Sequence, residues 1–255
     1  MVLFIISLIA LLYTLISNKR LATLTNVMIF ALLMLSWGFM AILSIYKRKA
    51  SSEELETTQF NTICNFFYGI HFFTKYTAML LFVTKYQSTK PEIRKVLGKK
   101  NIVSHTKPTL IIMPILILLA IGCTFLVCLF NNTDFYESWI SAASESVVCG
   151  VLTLMYFKYV SQIYTLIETV NLDLAPIKKN FCGNMSVLLF LLIITVSEAG
   201  IHYVIFGGNA PESSNTFLLL SITIQLCRFI VYILLFSLVY NLSKQGRTFE
   251  DLILH

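Results

Sequence analysis

Apolar residues fall into seven runs separated by short polar stretches: Val2–Ser17, Ala22–Tyr46, Phe60–Tyr86, Thr109–Phe130, Glu137–Thr165, Phe181–Gly207 and Thr216–Asn241. A hydrocarbon core about 30 Å thick takes about 20 residues of helix to cross, and all the runs but the first reach that length. The first rises only about 24 Å, so it can enter a bilayer without cleanly crossing it. Backbone amides in lipid must find partners within their own segment, which makes each run a helix. The pattern predicts an all-α, polytopic membrane bundle of six to seven transmembrane helices, with residues 1–255 forming a single transmembrane domain.

Composition fits that reading. The chain is 57% hydrophobic and only 13% charged, with a mean hydropathy of +0.78; a soluble chain of this length carries about twice that charge. No polar stretch exceeds about twenty residues, which leaves no room for a separate soluble domain. The formal net charge of +6 raises the question of nucleic acid. The basic residues flank helix ends, however, so they speak for membrane orientation and against a nucleic-acid partner. Val2–Ser17 lacks both a basic residue before it and a small-x-small cleavage site after it. It reads as a retained segment or signal anchor rather than a cleaved leader.

Lysine and arginine alternate strongly from loop to loop. One set of loops and the tail holds Lys19, Arg20, Lys90, Arg94, Lys95, Lys99, Lys100, Lys107, Lys178, Lys179, Lys244 and Arg247; the other set holds only Lys47, Arg48 and Lys49. The positive-inside rule places the first set and the C-terminus in the cytoplasm. A multi-pass protein of the plasma membrane follows, with the N-terminus outside if all seven runs cross and inside if the first does not. The sequon Asn131-Asn132-Thr133 lies on the outer side of this topology, hard against the fourth run. Cys64, Cys123, Cys128, Cys149, Cys182 and Cys227 lie in or beside the runs and read as small packing residues, not a disulfide framework. The sequence carries no metal-ligand spacing, Gly-rich phosphate loop or nucleophile elbow. No catalytic residue, cofactor or metal is expected, and the chain does not read as an enzyme.

Ionisable residues at membrane depth are costly, so each needs a reason. The candidates are His71, Lys75, Glu145, Glu198, His202 and Arg228. His71 with Lys75, and Glu198 with His202, are four apart and share a helix face. The inferred orientation puts His71, Glu145, Glu198 and His202 in the outer half, with Lys75 and Arg228 near mid-depth. Two roles fit them. They neutralise one another and pin helices, with Glu198 paired to Arg228 or Lys75, or they line a hydrated cavity and bind a ligand. Phe66, Phe67, Tyr68, Phe72, Phe73 and Tyr76 surround the pair in the third run. Lys85 and Lys158 sit near the cytoplasmic ends and snorkel. Ser141, Ala142, Ala143, Ser144 and Ser146 let the fifth helix approach a neighbour closely, and Pro114 marks a kink in the fourth.

Seven helices with the tail inside raise a G-protein-coupled receptor as one reading. The third run ends Phe82-Val83-Thr84-Lys85-Tyr86 without an acidic-Arg-aromatic switch. The last, around Val239-Tyr240-Asn241-Leu242, lacks Asn-Pro-x-x-Tyr. A divergent seven-transmembrane G-protein-coupled chemoreceptor remains as the alternative, and a transporter or membrane scaffold is the third reading; internal repeats would favour a transporter, and the sequence shows none. The exit of the fifth run, Tyr159-Val160-Ser161-Gln162-Ile163-Tyr164-Thr165-Leu166-Ile167-Glu168-Thr169-Val170-Asn171-Leu172-Asp173-Leu174, resembles the insect gustatory and odorant receptor superfamily. There the fourth helix extends into the cytoplasm with a Gln, spaced leucines and an Asn-x-x-Leu ending. The stretch from Asn241 to Thr248, followed by Leu252-Ile253-Leu254-His255, is similar to the segment after that family's sixth span. The resemblance covers about residues 22–255 and matches the second to seventh runs to the family's first six spans. It implies a chemosensory, gustatory-type receptor: a tetrameric ligand-gated cation channel subunit, assembled with like or related receptors, that binds a small molecule within its helices. The family's last, pore-lining helix, with its Thr-Tyr-aliphatic-Gln-Phe signature, has no counterpart here. The resemblance therefore implies a channel subunit or a truncated form of one; if the pore helix is absent, the chain alone gives no ligand-evoked current.

Overall fold

The computed structural model describes residues 24–50, 57–96, 139–168 and 175–206 without interruption, with further positions at 5, 8–9, 112, 115–123, 126–127, 218–220, 222–224, 226–227, 229–231, 233–234 and 237. All of these residues are helical. The long helices are α1 (Leu24–Ala50), α2 (Thr57–Val96), α3 (Trp139–Glu168) and α4 (Ala175–Phe206). Each contains a stretch long and apolar enough to cross a membrane: Val27–Tyr46, Gln59–Lys85, Trp139–Thr165 and Phe181–Val204. Most of the first run, Pro114, Cys128, the Asn131 sequon, Arg228 and the tail from Asn241 onward lie outside the described residues.

Around a largely apolar core, the outer faces of the helices are apolar as well, while several ionisable residues are buried, opposite to a soluble protein. On α4, Phe190 is 60% exposed and Ile193 59%, while Glu198 and His202 are 8% and 1% exposed. On α3, Val147, Leu154 and Phe157 face outward while Ser141 and Glu145 are buried. Water would drive these two classes the other way. A hydrocarbon surround explains both: the apolar side chains meet lipid and the polar ones turn to each other. Several hydroxyls within the spans fold back on their own helices, as in Thr74 to the Ile70 carbonyl (2.9 Å), Thr84 to Leu80 (2.9 Å) and Thr153 to Cys149 (2.8 Å). Each needs no partner from the lipid.

Helix directions follow from which residues meet. Between α1 and α2, Tyr46 stacks on Phe60 (5.8 Å between centroids), Phe39 meets Phe67 (6.2 Å) and Ser36 meets His71 (2.7 Å). As one number falls the other rises, so these helices are antiparallel, as the short connection between Ala50 and Thr57 requires. Between α3 and α4, Trp139 meets Tyr203 (5.5 Å) and a Cβ on Gly150 would lie 3.6 Å from Leu192, again antiparallel. Between α2 and α3, Tyr68 meets Glu145 and Phe82 stacks on Tyr156 (5.9 Å), so both numbers rise together. These two helices are parallel. If both of these helices span, the chain must recross between them, and the run Thr109–Phe130 occupies that part of the sequence. Ile121, helical within that run, has its Cγ2 3.4 Å from where a Cβ on Gly69 would stand.

The arrangement gathers the ends of α1 and α4 and the starts of α2 and α3 on one face of the bundle. The opposite ends gather on the other. Trp139 and Tyr203, half exposed and edge to face, stand where α3 begins and α4 ends, the usual place for an interfacial aromatic anchor.

Three boundaries differ from the sequence expectation, the first being α1, which continues through Lys47, Arg48 and Lys49 to Ala50. The stretch after Tyr86, expected to open the loop Gln87–Lys107, continues as helix to Val96. With 40 residues, α2 is about 60 Å long, about twice the hydrocarbon thickness, so its basic end projects well beyond the apolar layer. Pro91 falls in that projecting part, where water can serve the carbonyl its missing N–H leaves unbonded. Similarly, α4 begins at Ala175, ahead of its apolar run. Pro176 occupies its first turn, where no intrahelical N–H bond is needed.

Candidate functional site

Glu145 stands six residues from Trp139 at the start of α3, about 9 Å of helix rise into the bundle. Its carboxylate accepts three hydrogen bonds, all from α2. Lys75 Nζ lies 2.5 Å from Oε2, the Tyr76 hydroxyl lies 2.9 Å from the same oxygen, and the Tyr68 hydroxyl donates to Oε1. All four residues are buried. Helix geometry explains how one carboxylate reaches donors two turns apart. Residues 68 and 76, eight apart, lie on one stripe of α2 with 72 between them, and 75 flanks that stripe. Because side chains lean toward the helix N-terminus and the helices are parallel, Lys75 reaches back to Glu145 from one turn deeper.

The lysine ammonium also sits 4.7 Å from the centroid of the Tyr76 ring, within cation–π range. Phe72 continues the aromatic wall at 4.8 Å from Tyr76. The cation is thus held by a carboxylate and an aromatic face together, and the site is neutral as a whole. An unpaired charge here would cost several kcal/mol, and mutual pairing removes most of that cost.

His71 extends the layer to α1. Its Nδ1 lies 2.7 Å from Ser36 Oγ and 3.0 Å from the Ser36 carbonyl, and Ser36 Oγ lies 3.3 Å from the His71 carbonyl. With the proton on Nδ1, the imidazole donates to the Ser36 carbonyl while the serine donates to the His71 carbonyl. With the proton on Nε2, Nδ1 accepts from the serine hydroxyl. Tyr68 links this contact to Glu145, since its ring lies 5.6 Å from that of His71.

On α4, Glu198 Oε1 lies 3.6 Å from His202 Nε2, one turn along the same helix. The α3–α4 register sets Glu198 level with Glu145. Ser36, His71, Lys75, Glu145 and Glu198 therefore occupy one polar layer across four helices.

Of the six residues singled out in the sequence, His71, Lys75, Glu145, Glu198 and His202 are all buried in the bundle. Arg228 lies outside the described residues. Of the two partners expected for Glu198, Lys75 pairs instead with Glu145, Arg228 is not among the described residues, and Glu198 lies beside His202. Depth along a helix can be read from sequence, but which lateral neighbour a side chain meets depends on helix order and rotation. Ser36 escaped the sequence reading altogether. Its only signal was a hydroxyl within a long apolar run. Tyr68 and Tyr76 were expected as aromatic lining, and it is their hydroxyls that complete the carboxylate's shell.

No family model, curated protein or solved structure matches this chain. The residues themselves carry the functional reading.

Proposed function

We propose that the protein is a multi-pass membrane receptor of the gustatory, chemosensory type that reads a small molecule at the Glu145 layer. The observation that carries this is a carboxylate–ammonium pair buried near one face of an otherwise lipid-facing bundle. Such a pair contributes little net stability, because well-packed apolar residues replace it at no loss or even a gain. Ionisable residues within membrane spans mark function by default. This pair also ties α2 to α3, so anything that parts it alters how two spanning helices are joined.

The exit of α3 supports the gustatory type, since the helix carries Gln162 and Leu166 out to Glu168 and the sequence runs on to the Asn171-Leu172-Asp173-Leu174 ending. The charge asymmetry supports a plasma-membrane topology with the C-terminus in the cytoplasm. That topology turns the face where α2 and α3 begin, and hence the Glu145 layer, to the outside. The family resemblance extends the reading to a tetrameric assembly with related receptors and to cation conduction as the output.

The test is ligand binding by the full chain in lipid nanodiscs, followed as Tm across a panel of sugars, amino acids, amines, carboxylic acids and neutral volatiles. At least one class raises Tm in a dose-dependent manner, and Glu145→Gln weakens that response about tenfold or more. A panel in which nothing binds, or in which every binder acts equally on Glu145→Gln, overturns the assignment of this layer.

A further inference from the structure

Building on the ligand-site reading above, we infer that the Lys75–Glu145 pair is the recognition element for a small zwitterion, a molecule carrying one ammonium and one carboxylate group in the manner of an amino acid. Three features of the site lead there. First, both charges are already paired within a low-dielectric interior. A simple amine competing for Glu145 would strand the Lys75 ammonium, and a simple carboxylate competing for Lys75 would strand Glu145. Leaving a buried charge without a partner is what such an interior tolerates least. A zwitterion avoids both outcomes: its ammonium takes Glu145, its carboxylate takes Lys75, and every charge stays paired.

Second, the site is already shaped for an ammonium. The Lys75 Nζ lies 2.5 Å from the carboxylate and 4.7 Å from the centre of the Tyr76 ring, with the Tyr68 hydroxyl donating to the other carboxylate oxygen. An aromatic face beside a carboxylate is the general means of holding an organic cation. In the resting structure the receptor's own lysine fills that place.

Third, the two charges sit on different helices and on side chains of different stiffness. Lys75 has a four-carbon stem that can withdraw by rotation alone, while Glu145 is short and is fixed by two tyrosine hydroxyls. Insertion of a zwitterion therefore moves the lysine and leaves the carboxylate in place. The direct α2–α3 ion pair becomes one bridged by ligand, while the two tyrosine hydroxyls keep their bonds from α2 to Glu145. With Glu145 about 9 Å from the start of α3, the route from the outer face is short.

The experiment uses the full chain in nanodiscs and four probes: glycine, 4-aminobutanoate, n-butylammonium and butanoate. Wild type is expected to gain Tm with at least one of the two zwitterions and with neither single-charge probe. Lys75→Ala leaves Glu145 uncompensated, so its response shifts to n-butylammonium. Glu145→Ala leaves Lys75 uncompensated, so its response shifts to butanoate. Wild type answering to neither zwitterion, or answering to a single-charge probe as strongly as to a zwitterion, overturns the inference. That measurement stands even if a variant fails to fold. A neutral panel compound whose binding depends on Glu145, with both zwitterions inert, would refute this ligand class and leave the receptor reading intact. An inert panel would remove both.

Discussion

Glu145 shows how much a single side chain settles in this molecule. One carboxylate in an apolar surround has about four lone-pair directions to satisfy, and α2 supplies three donors to it. Removing one partner leaves the other charge stranded; removing both leaves a site that apolar groups can fill. Lys75→Met and Glu145→Gln should each cost on the order of 3 kcal/mol, while the double variant costs much less than their sum. Reversible unfolding in mixed micelles measures this, and additive losses would show that the pair is not coupled. Tyr76→Phe removes one donor to a charged acceptor and keeps the ring. It should cost about 1.5 kcal/mol in the same assay, and no measurable loss would show that the hydroxyl does not help hold the carboxylate.

At the scale of the helices, hydropathy and register carry different information. The four described spans coincide with apolar runs in the sequence, because each needs about 20 apolar residues and nothing else produces such runs. The extension of α2 through Val96 was not legible. Beyond Lys85 the helix leaves the apolar layer, and a polar helix in water has no hydropathy signature. The identity of five buried ionisable residues was legible from the cost of exposing them to lipid. Their pairing was not, because Lys75 could have met Glu145 or Glu198 until the parallel register of α2 and α3 was known. That register has its own test. Among single pairs treated with a short bifunctional thiol reagent, Phe82→Cys should join Tyr156→Cys and not a cysteine placed at Trp139. Preferential joining to position 139 would make the two helices antiparallel and would dissolve the polar layer.

For the whole molecule, the claim on which everything else depends is that the four long helices cross a membrane with the starts of α2 and α3 on the same side. The apolar outer faces and buried ionisable residues of α3 and α4 argue for the crossing, and the contacts of Phe82 with Tyr156 and Trp139 with Tyr203 argue for the sidedness. Charge alternation then names the sides, since the sparse set Lys47, Arg48 and Lys49 closes α1 on the face where α2 and α3 begin. The most direct measurement is thiol labelling with a membrane-impermeant maleimide on intact and permeabilised cells. Single cysteines replace Ser52, Glu137 and Asn171 in a background without the native cysteines. Ser52→Cys and Glu137→Cys should label on intact cells, and Asn171→Cys only after permeabilisation. Labelling of positions 52 and 137 from opposite sides of the membrane would contradict the account.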